Sequence, residues 1–508
     1  MPDRNLIRPD TELSPDRLLR LVDSAASLEA APELRRTIVE NRKVVESCLR
    51  ESIPVYGLNT GLGALVGSEA ELSDIHARQC QIITGRACGT GSPLSPDTSR
   101  AALQLLLHFL ARGVSGVHPD TFDFLLNFHN AGLVPVIPSI GSIGAGDLVA
   151  NAHMALPLIG LGEIWVGDTS EPSGPVLQRH GLPRCRLHAH DAMGLINHGA
   201  VSIANAATAI ALARECFQES VLACAMAFEG FAANRNIFDP RINTLRPARG
   251  QLPAARWFHS ALSGSLAPER RIQDPLSFRL AAVIFGEANH ALNEAGSAVR
   301  VELNAAPASP AVLSARAAMR STPNFFHPAV TNSLQQSVIA LFNSARASVQ
   351  RCQRLMQPEV SELPRCLSPV GGVSAGMIPL QKTANALLAE MAYSAQSMVP
   401  PLPAVSESVE DFESPGLQAG LRLRDMLRNY RQLNGIEAMV AAQAMDLRDC
   451  ENYSPLALFL HRRLRGTVPF LTEDRSMAPD IREAAAAMHS IGRDLDQGKD
   501  FPSVKPTA

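Results

Sequence analysis

Apolar positions recur at helical spacing through most of the chain beyond residue 197. Between 197 and 230, Ile203, Ile210, Phe217 and Val221 share one face and alanines fill the others. Over 332–356, Leu334, Val338, Leu341 and Ala345 follow at steps of about four and three residues. Leu423, Met426, Leu427 and Tyr430 repeat the pattern within 416–447. Two further helices are predicted from about Leu280 to Val301 and from Gln381 to about Ser397. Alanine-rich helices approach closely and bury several faces, so 197–450 is predicted to be a bundle of long helices.

Residues 50–190 read differently, because glycine and proline break the periodicity. YGLNTGLGALVG (56–67), TGRACGTGSPLSP (84–96) and GLVPVIPSIGSIGAGD (132–147) are loops, where glycine permits positive φ and proline removes a donor. Loops of this kind beside a rigid bundle are where a site is expected. Residues 163–185 read as a hairpin or small excursion, and the chain turns polar from about 450, ending in a frayed tail. The expected organisation is a loop-rich and helical region 1–196, a bundle 197–450, and a C-terminal helical segment with its tail, 451–508.

Composition sharpens the class. The 508 residues are 46% hydrophobic and 19% charged, an ordinary globular balance. Lys and Arg number 46 against 49 Asp and Glu, a formal charge of −3 that supplies no basic footprint for nucleic acid or an anionic membrane surface. Nine scattered cysteines with no CxxC spacing read as reduced thiols, so a cytoplasmic location is expected. The charged start MPDRNLIRPD lacks the apolar stretch of a secretory signal, and no apolar run is expected to reach the roughly 18 residues of a membrane span, so neither secretion nor membrane insertion is expected. His188 and His190, two apart on a loop, are too thin a pattern for a metal centre, and no metal is expected.

GSIGAGDLVANAHM at 141–154 resembles the signature of the aromatic amino acid lyase family, GSVGASGDLxPLAH, which includes histidine, phenylalanine and tyrosine ammonia-lyases and aminomutases. The resemblance continues in the family's order over about 400 residues. YGLNTGLG (56–63) is similar to its tyrosine loop, GLIN (194–197) to ALINGT, FDPRINTLRPARGQ (238–251) to FDPRIHxxRPHxGQ, and QDPLSFR (273–279) to QDxYSLR. ELNAAPASP (302–310) is similar to ExNSATDNP, and SVEDF (408–412) to NQEDH. The resemblance implies a mainly α fold, a long antiparallel helical bundle of the ammonia-lyase type with a loop-rich N-terminal region. It also implies a homotetramer whose sites draw residues from several subunits.

In the family, an Ala-Ser-Gly segment cyclises and dehydrates to a methylidene-imidazolone electrophile. Here the loop is Gly144, Ala145, Gly146, Asp147, with no serine between Ala145 and Gly146. With no hydroxyl to lose as water, no ring and no other cofactor is expected. Other positions also depart. Arg86 stands at the family's histidine in SHAAGxG, Leu276 at its tyrosine, Ala308-Ser309-Pro310 at its DNP, Phe326 and Phe412 at two histidines, and Val409 at a glutamine.

By resemblance Tyr56 is the base that removes the substrate's β-proton. A phenol with a reference pKa of about 10 needs a cationic or desolvated setting for that work. Arg279 corresponds to the carboxylate-binding arginine, whose fork of donors suits a carboxylate, with pairing to Asp274 or Glu302 as the alternative. Asn197 matches the ALIN asparagine beside the prosthetic group, and its neighbour His198 reads as a satisfied structural residue. Glu410 retains the family's acidic residue, as an acid or base if buried against Phe412, or as a paired carboxylate. Arg86, Asn324 and Gln273 complete the expected substrate-binding set, and Asp147 is expected to cap the helix that follows it.

The function expected from these departures is acid–base elimination, addition, isomerisation or cyclisation on a small carboxylate or carrier-bound acyl substrate, in specialised metabolism, without the prosthetic group. A non-catalytic scaffold or ligand sensor and a conventional amino acid ammonia-lyase or aminomutase are the alternatives.

Overall fold

The computed structural model describes residues 5–23, 27–63, 66–67, 74–267, 269–398, 403–448 and 453–496. The expected tail from 498 lies outside them. Helices dominate, and the few strands form two-stranded ribbons. The five helices read from periodicity form as Ala200–Phe231, Ala281–Leu303, Pro328–Leu355, Pro379–Ser394 and Gly416–Arg448. Two start away from the periodic pattern for local reasons. Asn197 leaves helical geometry at φ −98° and ψ 74°, which delays the first helix, and Pro328 advances the third because its missing N–H costs nothing at a first position.

The chain forms two compact units, each gathered from three stretches. The first comprises 1–209, 296–332 and 398–421. Its helices Pro32–Arg50, Pro96–Ala111 and Pro119–Asn130 all begin at proline. Ser95 caps the second, its Oγ accepting from Thr98 N at 3.3 Å. Residues 101–111 of that helix are buried on every side, which makes it the unit's central element. Two short ribbons pin the loops: Thr90–Pro93 pairs antiparallel with Pro138–Ile140, and Ala311–Leu313 with Ala318–Arg320. The expected hairpin is present as Glu163–Val166 against Thr169–Pro172.

The second unit comprises 210–295, 333–397 and 422–508. Phe228, Phe231, Phe238, Phe258, Phe278 and Phe285 stack and tilt against one another at centroid separations of 4.1 to 6.0 Å. The fully buried Arg351 forms a bidentate pair with the fully buried Glu437, at 2.5 and 3.0 Å. The close carboxylate holds the guanidinium above its ordinary value although burial acts the other way.

One sequence expectation is revised here. A stretch within Asp191–Phe231 is long and apolar enough to cross a membrane by length and composition, but 89% of that window is buried inside the protein. Small alanines among polar Asn205 and Thr208 raise its average hydropathy without an unbroken apolar run.

Candidate active site

The loop 141–147 enters the helix Leu148–Ala155 and is held from every side by the first unit. Gly144, at φ +76°, lies so close to the Ser414 carbonyl that a Cβ would stand 1.7 Å from its oxygen. Ser414 N donates to Ile143 O at 3.0 Å. Gly146, at φ +81°, faces Asn197, where a Cβ would come within 2.4 Å of Oδ1. Its carbonyl accepts from His198 N at 3.1 Å and from Asn151 Nδ2 at 3.1 Å. Ala145 forms an isolated antiparallel bridge with Phe326. Only glycine tolerates both the positive φ and the approach at 144 and 146.

Asp147 does not cap its own helix, contrary to expectation. It adopts a left-handed φ of +48°, and its carboxylate accepts from Ser202 N at 2.9 Å, from Ser202 Oγ at 2.8 Å and from Ser142 Oγ. It thereby serves the first turn of the helix Ala200–Phe231, whose free N–H groups attract an anion. Asn197 is buried and donates to Ser309 O at 2.7 Å, which fixes the amide beside the loop. His198 is structural. Its Nε2 lies 2.9 Å from Leu195 O, its Nδ1 accepts from Ala200 N, and burial lowers its pKa to about 4.

Tyr56, Arg86 and Glu410 form a second group in the same unit. The Tyr56 hydroxyl accepts from Gly63 N at 2.9 Å, so the glycine-rich loop wraps back on its own aromatic ring. Arg86 donates to Ile82 O at 3.1 Å. Burial pulls its guanidinium below the ordinary value, and attraction first from Tyr56 and then from Glu410 pulls it back, so both groups lie within its field. Glu410 sits on a tight turn closed by Val405 N to Glu410 O at 3.0 Å, and its Oε2 accepts from Ser406 Oγ at 2.5 Å. Ser406 in turn adjoins Gly63.

Glu410 is half-exposed, so of the two alternatives read from sequence the one that buries it against Phe412 does not hold. Phe412 is 75% exposed and pairs instead with Phe326, centroids 5.8 Å apart. Asn324 is exposed and its N donates to Thr322 Oγ1, on the segment that carries Phe326. Arg279 and Gln273 belong to the second unit, where both are exposed and Arg279 Nη1 donates to Gln273 Oε1 at 2.9 Å. The alternative partner Asp274 is taken by Arg271, at 3.0 Å. Sequence reasoning missed Asn151, Ser202 and Ser414 as supports of the loop. Asn151 follows Asp147 by one helical turn and was open to discovery by that spacing; Ser202 and Ser414 are distant in sequence and gave no signal.

Glycine-rich loops thus place a tyrosine and a carboxylate around one arginine in a helical unit. The description "aromatic amino acid lyase" matches residues 13–466, and the chain belongs to that family. It is 33% identical to the histidine ammonia-lyase of Symbiobacterium thermophilum, over 92% of this chain and 93% of that one. Its structure is similar to the ergothioneine-degrading ergothionase of Treponema denticola, with a TM-score of 0.90, 25% identity and 96% and 98% of the two chains covered. It is also similar to histidine ammonia-lyase from Trypanosoma cruzi, with a TM-score of 0.87, 26% identity and 98% and 96% covered.

These relatives correct two expectations. The reading of a different, purely acid–base reaction class rested on one missing serine, and relatives named as ammonia-lyases along almost the whole chain favour a conventional lyase. The expectation of a chain without the family's prosthetic group rested on the same residue and is overturned by the same relatives. A short motif records one local event, whereas the similarity to these relatives extends over nine-tenths of the chain.

Proposed function

We propose that this enzyme eliminates ammonia from an α-amino acid bearing an unsaturated ring, of the histidine type. The carrying observation is the 33% identity to a histidine ammonia-lyase over 92% of the chain, supported by the placing of Tyr56 and Glu410 around Arg86. In the reaction a Cβ–H bond breaks, its electron pair forms the Cα–Cβ double bond, and the Cα–N bond breaks to release ammonia. Tyr56 takes the β-proton, with the positive charge of Arg86 nearby. Glu410 receives a polar ring nitrogen of the side chain, and the wall of Phe326 and Phe412 receives the ring face. Arg279, with Gln273 beside it, binds the substrate carboxylate, and Asn197 orders the loop at 144–147.

The chain is a divergent member at that loop. In the family, the methylidene-imidazolone supplies an electrophile that activates the substrate. Gly144, Ala145 and Gly146 stand here where the family has Ala-Ser-Gly, and the neighbouring Ser142 is engaged by Asp147 and Gly144 N. The exposure of Arg279 and Gln273 supports a homotetramer in which they serve a neighbouring copy's site. A cytoplasmic location, with no nucleic-acid or membrane partner, is supported by the near-neutral charge and by the free cysteines.

The test is a substrate panel. Purified protein is offered L-histidine, L-phenylalanine, L-tyrosine and ergothioneine, with amine release and the near-ultraviolet absorbance of a conjugated acid both followed. Ammonia from L-histidine, with the other three at least tenfold slower, is expected. No amine release from any member would contradict the reading.

A further inference from the structure

Away from these loops, His118, Asp120 and His188 bring three metal-ligand atoms within 4.8 Å of one another. His118 Nδ1 lies 3.6 Å from Asp120 Oδ2, and His188 Nε2 lies 3.9 Å from the same oxygen. Ligands at about 2.1 Å from a tetrahedral ion stand about 3.4 Å apart, so the two histidine–carboxylate separations of 3.6 and 3.9 Å need to close only modestly around an ion.

The two histidines are held by one buried carboxylate. Asp191, fully buried, accepts from His118 N at 2.8 Å and from His188 N at 2.7 Å. Thr121 Oγ1 donates to it at 2.5 Å, and Arg42 Nη1 stands 3.6 Å away. Residues 70 or more apart in sequence are thus fixed at backbone level with their rings side by side. That is the kind of support a metal site needs, because ligands must be aligned before the ion arrives. Asp120 and His188 also line a cavity of about 710 Å³ with His76, Asp74 and Cys185, which gives an ion and its waters a route in.

We infer that His118, Asp120 and His188 bind a divalent transition-metal ion of the zinc class. Two imidazoles and one carboxylate suit a borderline ion and leave coordination positions for water. The rings now stack at 3.6 Å between centroids and 16° between planes, so binding swings one ring about χ2, a torsion with a broad well. The ion takes the His118 Nδ1 lone pair, which otherwise accepts from Asp120 N at 3.2 Å. It ties the start of the helix Pro119–Asn130 to the segment before Asp191.

The test is calorimetric titration of the full-length, chelator-stripped protein with Zn2+, and with Co2+ for its visible spectrum. One ion per chain is expected, with a rise in melting temperature. His188→Ala, Asp120→Asn and His118→Asn, the last keeping a helix-capping side chain, each weaken binding at least roughly tenfold. Circular dichroism establishes that each variant is folded, and Cys80→Ala, which removes the thiol beside His76, leaves binding unchanged. Absence of a bound ion, or binding equal in folded His188→Ala and wild type, overturns the assignment. So does binding lost in Cys80→Ala but kept in the histidine variants.

Discussion

The carbonyl oxygen of Ser414 occupies the space where a side chain on Gly144 would begin: a Cβ there would lie 1.7 Å from it. The residue after Ile143 is thus required to be glycine both by its φ of +76° and by contact with the Ser414 backbone. Gly144→Ala is expected to displace the loop and abolish turnover, and to destabilise the protein by about 2–4 kcal/mol. Gly132 has a similar φ of +73° but open space around it, so Gly132→Ala should cost only about 1 kcal/mol and leave activity intact. Urea midpoints of the two variants make the comparison, and equal losses would show that the contact with Ser414 is unimportant.

Removing the charge at Arg86 should slow the chemical step. Arg86→Gln is expected to lower kcat roughly tenfold or more, with Arg86→Lys recovering part of it. A change in KM alone would mean that Arg86 only binds substrate.

Stability should fall in mild acid. Burial lowers His108 to about 3 and both His190 and His198 to about 4. Their folded values lie below the unfolded value of about 6.5, so the unfolded chain binds protons first as the pH drops. The contribution is complete above pH ~6.5 and is lost as the pH falls through 4, at about 2 kcal/mol per histidine between pH 7.5 and 5.0. Urea unfolding at those two pH values checks this, and His198→Asn should flatten the dependence.

In the second unit, Arg351→Met leaves Glu437 buried without its partner. A loss of about 3–5 kcal/mol is expected, and the double variant Arg351→Met, Glu437→Leu should recover much of it. Thermal unfolding of the single and double variants decides.

The helices were legible because their signal is periodic. Leu334, Val338 and Leu341 repeat often enough to outweigh local noise, and each proves to be buried in the helix Pro328–Leu355. The tyrosine loop and Asp147 were legible as positions, because motifs fix residue identity and order. Their contacts were not. Asp147 turns to Ser202, 55 residues away, in place of its own helix, because its left-handed φ aims the carboxylate there. Phe412 moves away from Glu410 to meet Phe326, an attraction between segments that no local pattern records. The absent serine was legible as well, yet a single position proved a poor guide to reaction class beside similarity along the whole chain.

The most direct test of the elimination reading is steady-state ammonia release from L-histidine by the wild-type protein and by Tyr56→Phe, each verified as folded by circular dichroism. The wild type should release ammonia together with one equivalent of conjugated acid, and the variant, which loses the proton-accepting oxygen along with its bond from Gly63 N, should lose at least about 100-fold in kcat. Wild-type protein that releases no ammonia, or a Tyr56→Phe variant as fast as its parent, would contradict it.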